Sequence, residues 1–177
     1  MPSTAQPHTP AAASPSTPQA AESVWSQRAQ RIAFAWQGIE VWPQALALLG
    51  ARAVLCQAFF LSGLTKLQDW EATLFLFEEE YHVPLLSPAW AAWMGTGGEL
   101  VFSALLLAGL LTRPAAVGLF VVNAMAVISY PGLAAAALKD HHLWGVLAIG
   151  LAVFGGGRLS LDALLWRAVS GRWSVSR

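Results

Sequence analysis

The sequence predicts an all-α integral membrane protein: a four-helix bundle with both termini in the cytoplasm and an interfacial amphipathic helix ahead of the first span. Three observations carry this reading. Hydrophobic residues make up 56% of the chain and charged ones only 11%, less than half of the quarter or so that a water-covered surface needs. Four apolar blocks approach the roughly 20 residues that cross a hydrocarbon core of about 30 Å. Basic residues crowd one side of those blocks, the pattern that fixes orientation in a bilayer.

Net charge is zero, so nothing draws the chain toward nucleic acid or acidic substrates. A single cysteine, Cys56, excludes an internal disulfide, a CxxC redox pair and a Cys-rich metal cluster. The sequence carries no phosphate loop, no nucleotide fingerprint and no nucleophile–base arrangement.

Residues 1–23 hold five of the ten prolines and one charge, Glu22, a composition too poor in apolar surface to order itself, and they are read as a disordered tail. Met1 is followed by neither a basic start nor an apolar run, so the segment does not read as a secretory signal. Over 24–42, Trp25, Ala29, Ile32, Trp36 and Ile39 recur at helical spacing while Arg28, Arg31 and Gln37 fall elsewhere. Tryptophan with arginine suits a helix lying in the membrane–water boundary; packing on a soluble partner is the alternative. The transmembrane domain is placed at 43–165, with spans near Gln44–Leu67 (starting after Pro43), Ala89–Leu111, Pro114–Tyr130 and His141–Phe154, and a cytoplasmic tail at 166–177.

Four spans put the N-terminus, the Thr112–Arg113 turn and the C-terminal tail on one side. That side holds eight of the ten basic residues: Arg28, Arg31, Arg52, Arg113, Arg158, Arg167, Arg172 and Arg177, leaving Lys66 and Lys139 opposite. The crowded side is therefore cytoplasmic. In the outer loop, Trp70, Leu74, Phe77 and Tyr81 share one helical face, predicting a short amphipathic helix on the outer leaflet and then a turn at His82-Val83-Pro84. The Glu78-Glu79-Glu80 run reads as a solvated face.

An ionisable side chain in hydrocarbon needs a partner and is a functional candidate. Glu99 lies twelve residues from Leu111, about 18 Å from the inner end of its helix, and Arg52 about 12 Å from the same face. These depths make an Arg52–Glu99 pair plausible, with Gln57 and Asn123 completing the hydrogen bonding. Lys66, fourteen residues after Arg52 and on the same helical face, should sit near the outer mouth with His141, His142 and Trp144. Two readings stay open for the pair: one in which it fixes helix register, and one in which the polar interior binds a small ligand, a quinone headgroup or a proton. Adjacent histidines face different ways, so metal coordination is not expected. Ala148, Ala152 and Gly156 form a small-residue ridge for close helix contact, as do Ala104 and Ala108. Ser160-Leu161-Asp162 should cap a short C-terminal amphipathic helix ending near Trp173.

Several stretches taken together resemble the DoxX family of small four-helix bacterial membrane proteins. They are Phe60-Leu61-Ser62-Gly63-Leu64-Thr65-Lys66-Leu67, Tyr81-His82-Val83-Pro84-Leu85-Leu86-Ser87-Pro88, Gly98-Glu99-Leu100, and Leu106-Leu107-Ala108-Gly109-Leu110-Leu111-Thr112-Arg113. Later come Tyr130-Pro131, His141 with Trp144, and Gly157-Arg158-Leu159-Ser160-Leu161-Asp162. The resemblance covers about residues 44–165 and implies a cytoplasmic (inner) membrane location. It makes Arg52, Lys66, Glu99, Arg113 and Asp162 motif positions, with Arg113, Arg158 and Asp162 on the cytoplasmic side. Family members resemble subunits of quinone-linked sulfur oxidation or membrane redox-stress complexes, and others accompany peptide- or metal-stress operons. The resemblance therefore implies an accessory membrane subunit with protein partners, offering a polar pocket to quinone; the residues themselves lead to no expectation of a nucleotide or a metal. The alternatives are a small transporter using the Arg52–Glu99 interior and a quinone-reducing oxidoreductase.

Overall fold

The computed structural model describes the backbone of residues 18–173 and the side chains of residues 42–170. Most of the tail expected over 1–23, and the side chains of the interfacial helix expected over 24–42, lie outside the described residues. The chain divides into two compact units, 1–40 and 41–177, and the second carries the long apolar helices. The described residues are helical, with no strand among them: α1 (Pro18–Gln68), α2 (Trp70–Glu79), α3 (Pro88–Ala108), α4 (Thr112–Ser129), α5 (Ala135–Phe154) and α6 (Leu161–Trp173). Among the described residues three helical segments are long and apolar enough to cross a membrane, Trp42–Gln68, Pro88–Ala108 and Thr112–Ser129. The fourth expected span, α5, has Lys139, Asp140, His141 and His142 in its first turns, and its purely apolar part is correspondingly short.

Helix α1 does not begin after Pro43 but runs through it. Proline's fixed φ is compatible with a helix, although inside one the ring removes a hydrogen bond and crowds the carbonyl of the preceding turn. Asp69 does stop it: the carboxylate accepts from the Ala72 N–H at 2.9 Å and starts α2. The Thr73 hydroxyl ties the two helices together by donating to the Lys66 carbonyl at 3.0 Å. The apolar face predicted for α2 is present, and it packs on α3: Phe77 with Ala91 and Ala92 forms a buried cluster edged by Trp70, Leu74, Tyr81 and Val83.

Pro88 opens α3 at a first-turn position, where its missing N–H costs nothing. Gly109 closes α3 in the left-handed conformation, φ 68°. Its N–H bonds to the Leu106 carbonyl and that of Leu110 to Leu105, both at 3.0 Å, the paired bonds of a Schellman motif. The principal core draws Leu55 and Phe59 from α1, Leu106 from α3, Ala115, Ala116 and Leu119 from α4, and Ala148 and Leu151 from α5. Ala148 and Gly156 of the predicted ridge are buried, but Ala104 and Ala108 face outward. Outside this core the surface is apolar: Leu46, Leu61, Val101, Val121, Val146 and Val153 are each more than half exposed. An apolar exterior of this extent has lipid as its natural solvent.

The start of α4 is capped from a distance. Leu111 is left-handed, φ 49°, and the backbone N–H groups of Leu111 and Thr112 both donate to the Asp162 carboxylate at 2.8 Å. Asp162 returns a bond from its own N–H to the Gly109 carbonyl at 2.9 Å. Ser160 does cap α6, its hydroxyl oxygen accepting from the Ala163 N–H at 3.2 Å. Burial pushes the Asp162 carboxyl up, but the Thr112 and Leu111 bonds outweigh it and hold the group below the ordinary carboxylate range. Because its pKa falls on folding, its stabilisation is present above the unfolded value of about 3.9 and is lost as pH drops through the lower folded one. Asp162→Asn keeps one cap oxygen but removes the charge, and should therefore destabilise the protein at neutral pH by about 0.3–1 kcal/mol, with the gap to wild type closing below about pH 3.9. Thermal melts in detergent across that range check this, and a gap unchanged with pH would overturn the capping role.

Candidate functional site

Glu99 lies in the middle of α3 and is buried. Its partner is Lys66, not Arg52: the Lys66 ammonium stands 2.8 Å from Oε1 and 2.7 Å from Oε2 of Glu99. The third Lys66 hydrogen goes to the Ser62 hydroxyl oxygen at 2.8 Å, one turn back on α1. Both ionic side chains are largely withdrawn from solvent, with 17% and 10% of their surface exposed.

The expected Arg52–Glu99 pair is not formed, and the helix register explains why. A Cβ built on Gly63 would lie 3.4 Å from the Glu99 Cβ and 2.8 Å from the Leu100 side chain, so α1 at residue 63 is level with α3 at 99–100. Arg52 is eleven residues earlier, about 16 Å along the axis, beyond any arginine's reach. The depth of about 12 Å expected for Arg52 assumes that α1 starts near Gln44, whereas α1 continues through Pro43. Lys66 is likewise not at an outer mouth: α1 ends beside the middle of α3 and α2 packs against the α3 turns beyond.

Arg52 is fully buried near the other end of α3, where its guanidinium donates to the Leu159 carbonyl. Its Nη1 lies against Gly109, and the Asp162 charge is nearby. The other residues of the expected polar cluster separate. Gln57 is exposed on the outward face of α1. Asn123 is buried and pairs with His141, donating from Nδ2 to the His141 carbonyl at 2.9 Å, with Oδ1 2.8 Å from Nδ1. An amide oxygen accepts, so Nδ1 carries the hydrogen and Nε2 is left free in the neutral ring. The imidazole also meets Trp144 edge-on at 4.9 Å. His142, Arg113 and Arg158 are exposed. Among the described residues no group of three or more His, Cys, Asp or Glu side chains is placed to hold a metal ion.

The Lys66–Glu99 pair forms one wall of a cavity of about 880 Å³. The rest of its lining is overwhelmingly apolar: Phe77 and Tyr81 from the α2 end, Trp93 and Phe102 from α3, and Val121 and Met125 from α4. It opens between α3 and α4, where Trp93, Met94, Val101 and Val121 are all more than half exposed. Glycines shape this wall, two by letting neighbouring side chains pack onto the backbone and one by leaving room. A Cβ on Gly118 would strike the Phe102 ring at 2.6 Å, and one on Gly98 would strike Val122 at 2.8 Å, whereas Gly97 faces open room. At the rim Tyr81 stacks between Phe77 and Tyr130, with ring centroids 4.8 and 5.1 Å apart. Burial first, and then the Glu99 carboxylate, push the Tyr81 phenol above its ordinary range, so it keeps its proton at neutral pH.

Reasoning from sequence placed Glu99 and Lys66 among the candidates but missed the cavity. Its signal was Gly97-Gly98 in mid-helix, since each glycine there costs about 1 kcal/mol of helix propensity against alanine and has to be justified by packing or space.

Apolar helices enclosing a buried ion pair, and an exterior suited to lipid, define a multi-pass helical membrane protein. The DoxX family model matches residues 47–132, so that stretch of this membrane protein is similar to the DoxX family. The match takes in Arg52, Lys66, Glu99, Asn123 and the cavity lining. No curated protein and no solved structure matches.

Proposed function

We propose that this protein crosses the bacterial cytoplasmic membrane four times with both termini inside, and serves as an accessory subunit of a quinone-linked redox or stress-response system by holding a quinone-type lipophile in the α3–α4 cavity. The single observation that carries the reading is the cavity itself: a space of drug-like size, about 880 Å³, apolar except at one buried ion pair and at the Tyr81 phenol on its rim. That lining fits a molecule with an apolar ring and tail and one polar end. Lys66 and Glu99 face the polar end, while Trp93 and Phe102 flank the ring and keep water from it. A bound quinone supplies two-electron, two-proton redox capacity; the chain's own residues bind it, orient it and dehydrate it.

The fourth crossing is α5. Its 20 residues extend about 30 Å, and Leu143, Val146, Ile149 and Val153 form an exposed apolar stripe along it, while Lys139 and Asp140 stay at the boundary. Eight basic residues against two support the orientation.

The full chain in nanodiscs should bind decyl-substituted benzoquinone or its hydroquinone by calorimetry, and Gly97→Leu, which fills open space, should weaken both at least about tenfold. The fold-change follows from displacing a buried apolar ring. Failure of both redox forms to bind the wild-type protein would sink the proposal. Reporter fusions at the two termini should both map to the cytoplasm.

A further inference from the structure

The hydrogen-bond inventory at the cavity wall selects the kind of head group it takes. An ammonium has three hydrogens and accepts nothing. The three hydrogens of Lys66 are matched by three acceptors: Ser62 Oγ at 2.8 Å, Glu99 Oε1 at 2.8 Å and Glu99 Oε2 at 2.7 Å. Lys66 therefore has no donor left for a ligand. A carboxylate offers about four acceptor positions. Lys66 takes one on each oxygen, which leaves Glu99 with acceptor capacity to spare. The ion pair borders the cavity, so the free bonding capacity it presents to an occupant is that of an acceptor.

From this we infer that the cavity recognises a lipophile through a hydrogen-donating head group, a ring hydroxyl given to the Glu99 carboxylate, and so prefers the hydroquinone form of its occupant to the quinone. A carbonyl head meets the same carboxylate lone pair against lone pair, with no Lys66 hydrogen to bridge them. A hydroxyl head gains a charge-assisted bond, the stronger class of hydrogen bond, in surroundings where water does not compete. The inference rests on the cavity reading proposed above and adds the chemistry of its polar end.

Three probes separate the possibilities: decyl-hydroquinone, its dimethyl ether and decyl-benzoquinone, each titrated calorimetrically into the full chain in nanodiscs under anaerobic conditions. The ether keeps the reduced ring and loses both donors. The hydroquinone should bind about tenfold or more tightly than either of the others. In the double variant Lys66→Met with Glu99→Leu, which removes both charges together, the three affinities should converge. Gly97→Leu should weaken all three. Equal binding of the three probes to the wild-type protein would overturn the donor preference while leaving the cavity reading intact, and binding of none would sink the cavity reading itself. A hydroquinone preference that survives in the double variant would overturn the assignment to Glu99.

Discussion

Lys66→Met should cost about 3–5 kcal/mol of folding free energy, the penalty for leaving one member of a buried ion pair alone. The magnitude follows from position. Glu99 is 8% exposed, sits in mid-helix, and has both carboxylate oxygens engaged by the ammonium at 2.7–2.8 Å. Removing Lys66 leaves that charge beside a largely apolar cavity without its hydrogen-bond partner. Removing both charges is a different experiment. With Lys66→Met and Glu99→Leu combined, nothing polar is stranded, and replacing a buried pair by apolar groups of like volume is often neutral or stabilising. The double variant should therefore be more stable than Lys66→Met alone, a strong positive coupling in a double-mutant cycle. Arg52→Met should show no such coupling to Glu99, because the register separates the two by about 16 Å. Equilibrium unfolding in mixed detergent micelles reads the single and double variants of both cycles. Coupling of Glu99 to Arg52 rather than to Lys66 would mean that α1 and α3 pack in a different register.

That register is the part of the structure least legible in the sequence. Local signals were readable: the apolar face of α2, Pro88 at a helix start, the Ser160 cap, and the burial of Ala148. Each depends on residues within a turn or two of one another. Residue 63 standing beside 99–100 depends instead on where α1 begins relative to the core, and Pro43 gave a false origin for that measurement. The same limit explains Asp162. Its position after Ser160 suggested a cap for its own helix, whereas its carboxylate serves the N–H groups of Leu111 and Thr112 about fifty residues earlier. A carboxylate caps any helix start brought to it, and sequence spacing does not say which one the fold will deliver. The cavity was hidden for a related reason. The room beside Gly97 on α3 becomes a cavity only once α4 supplies Val121 and Met125 as its other wall.

Gly109→Ala should be among the most damaging single substitutions available, with a loss of about 3–5 kcal/mol. Two penalties act together. At φ 68° an alanine Cβ collides with its own backbone, which costs about 1–2 kcal/mol. That Cβ would also lie 2.1 Å from Arg52 Nη1, 2.5 Å from Ser160 Cβ and 2.8 Å from Ser160 Cα. None of these neighbours is free to retreat. Arg52 is fully buried and donates to Leu159, and Ser160 is held by its bonds to Gly157 and Ala163. Displacing them would pull Asp162 from the start of α4, so the Schellman turn, the buried guanidinium and the remote cap should fail as one unit. Gly150→Ala provides the contrast: its Cβ would enter open space, and alanine's better helix propensity should leave stability unchanged or higher by up to about 1 kcal/mol. Arg52→Ala in the Gly109→Ala background should recover only part of the loss, because the contact with the Ser160 backbone remains. If Gly109→Ala and Gly150→Ala instead melt together, the α3 end does not approach Arg52 and Ser160 this closely, and the joint between α3, α4 and α6 is looser than these contacts require.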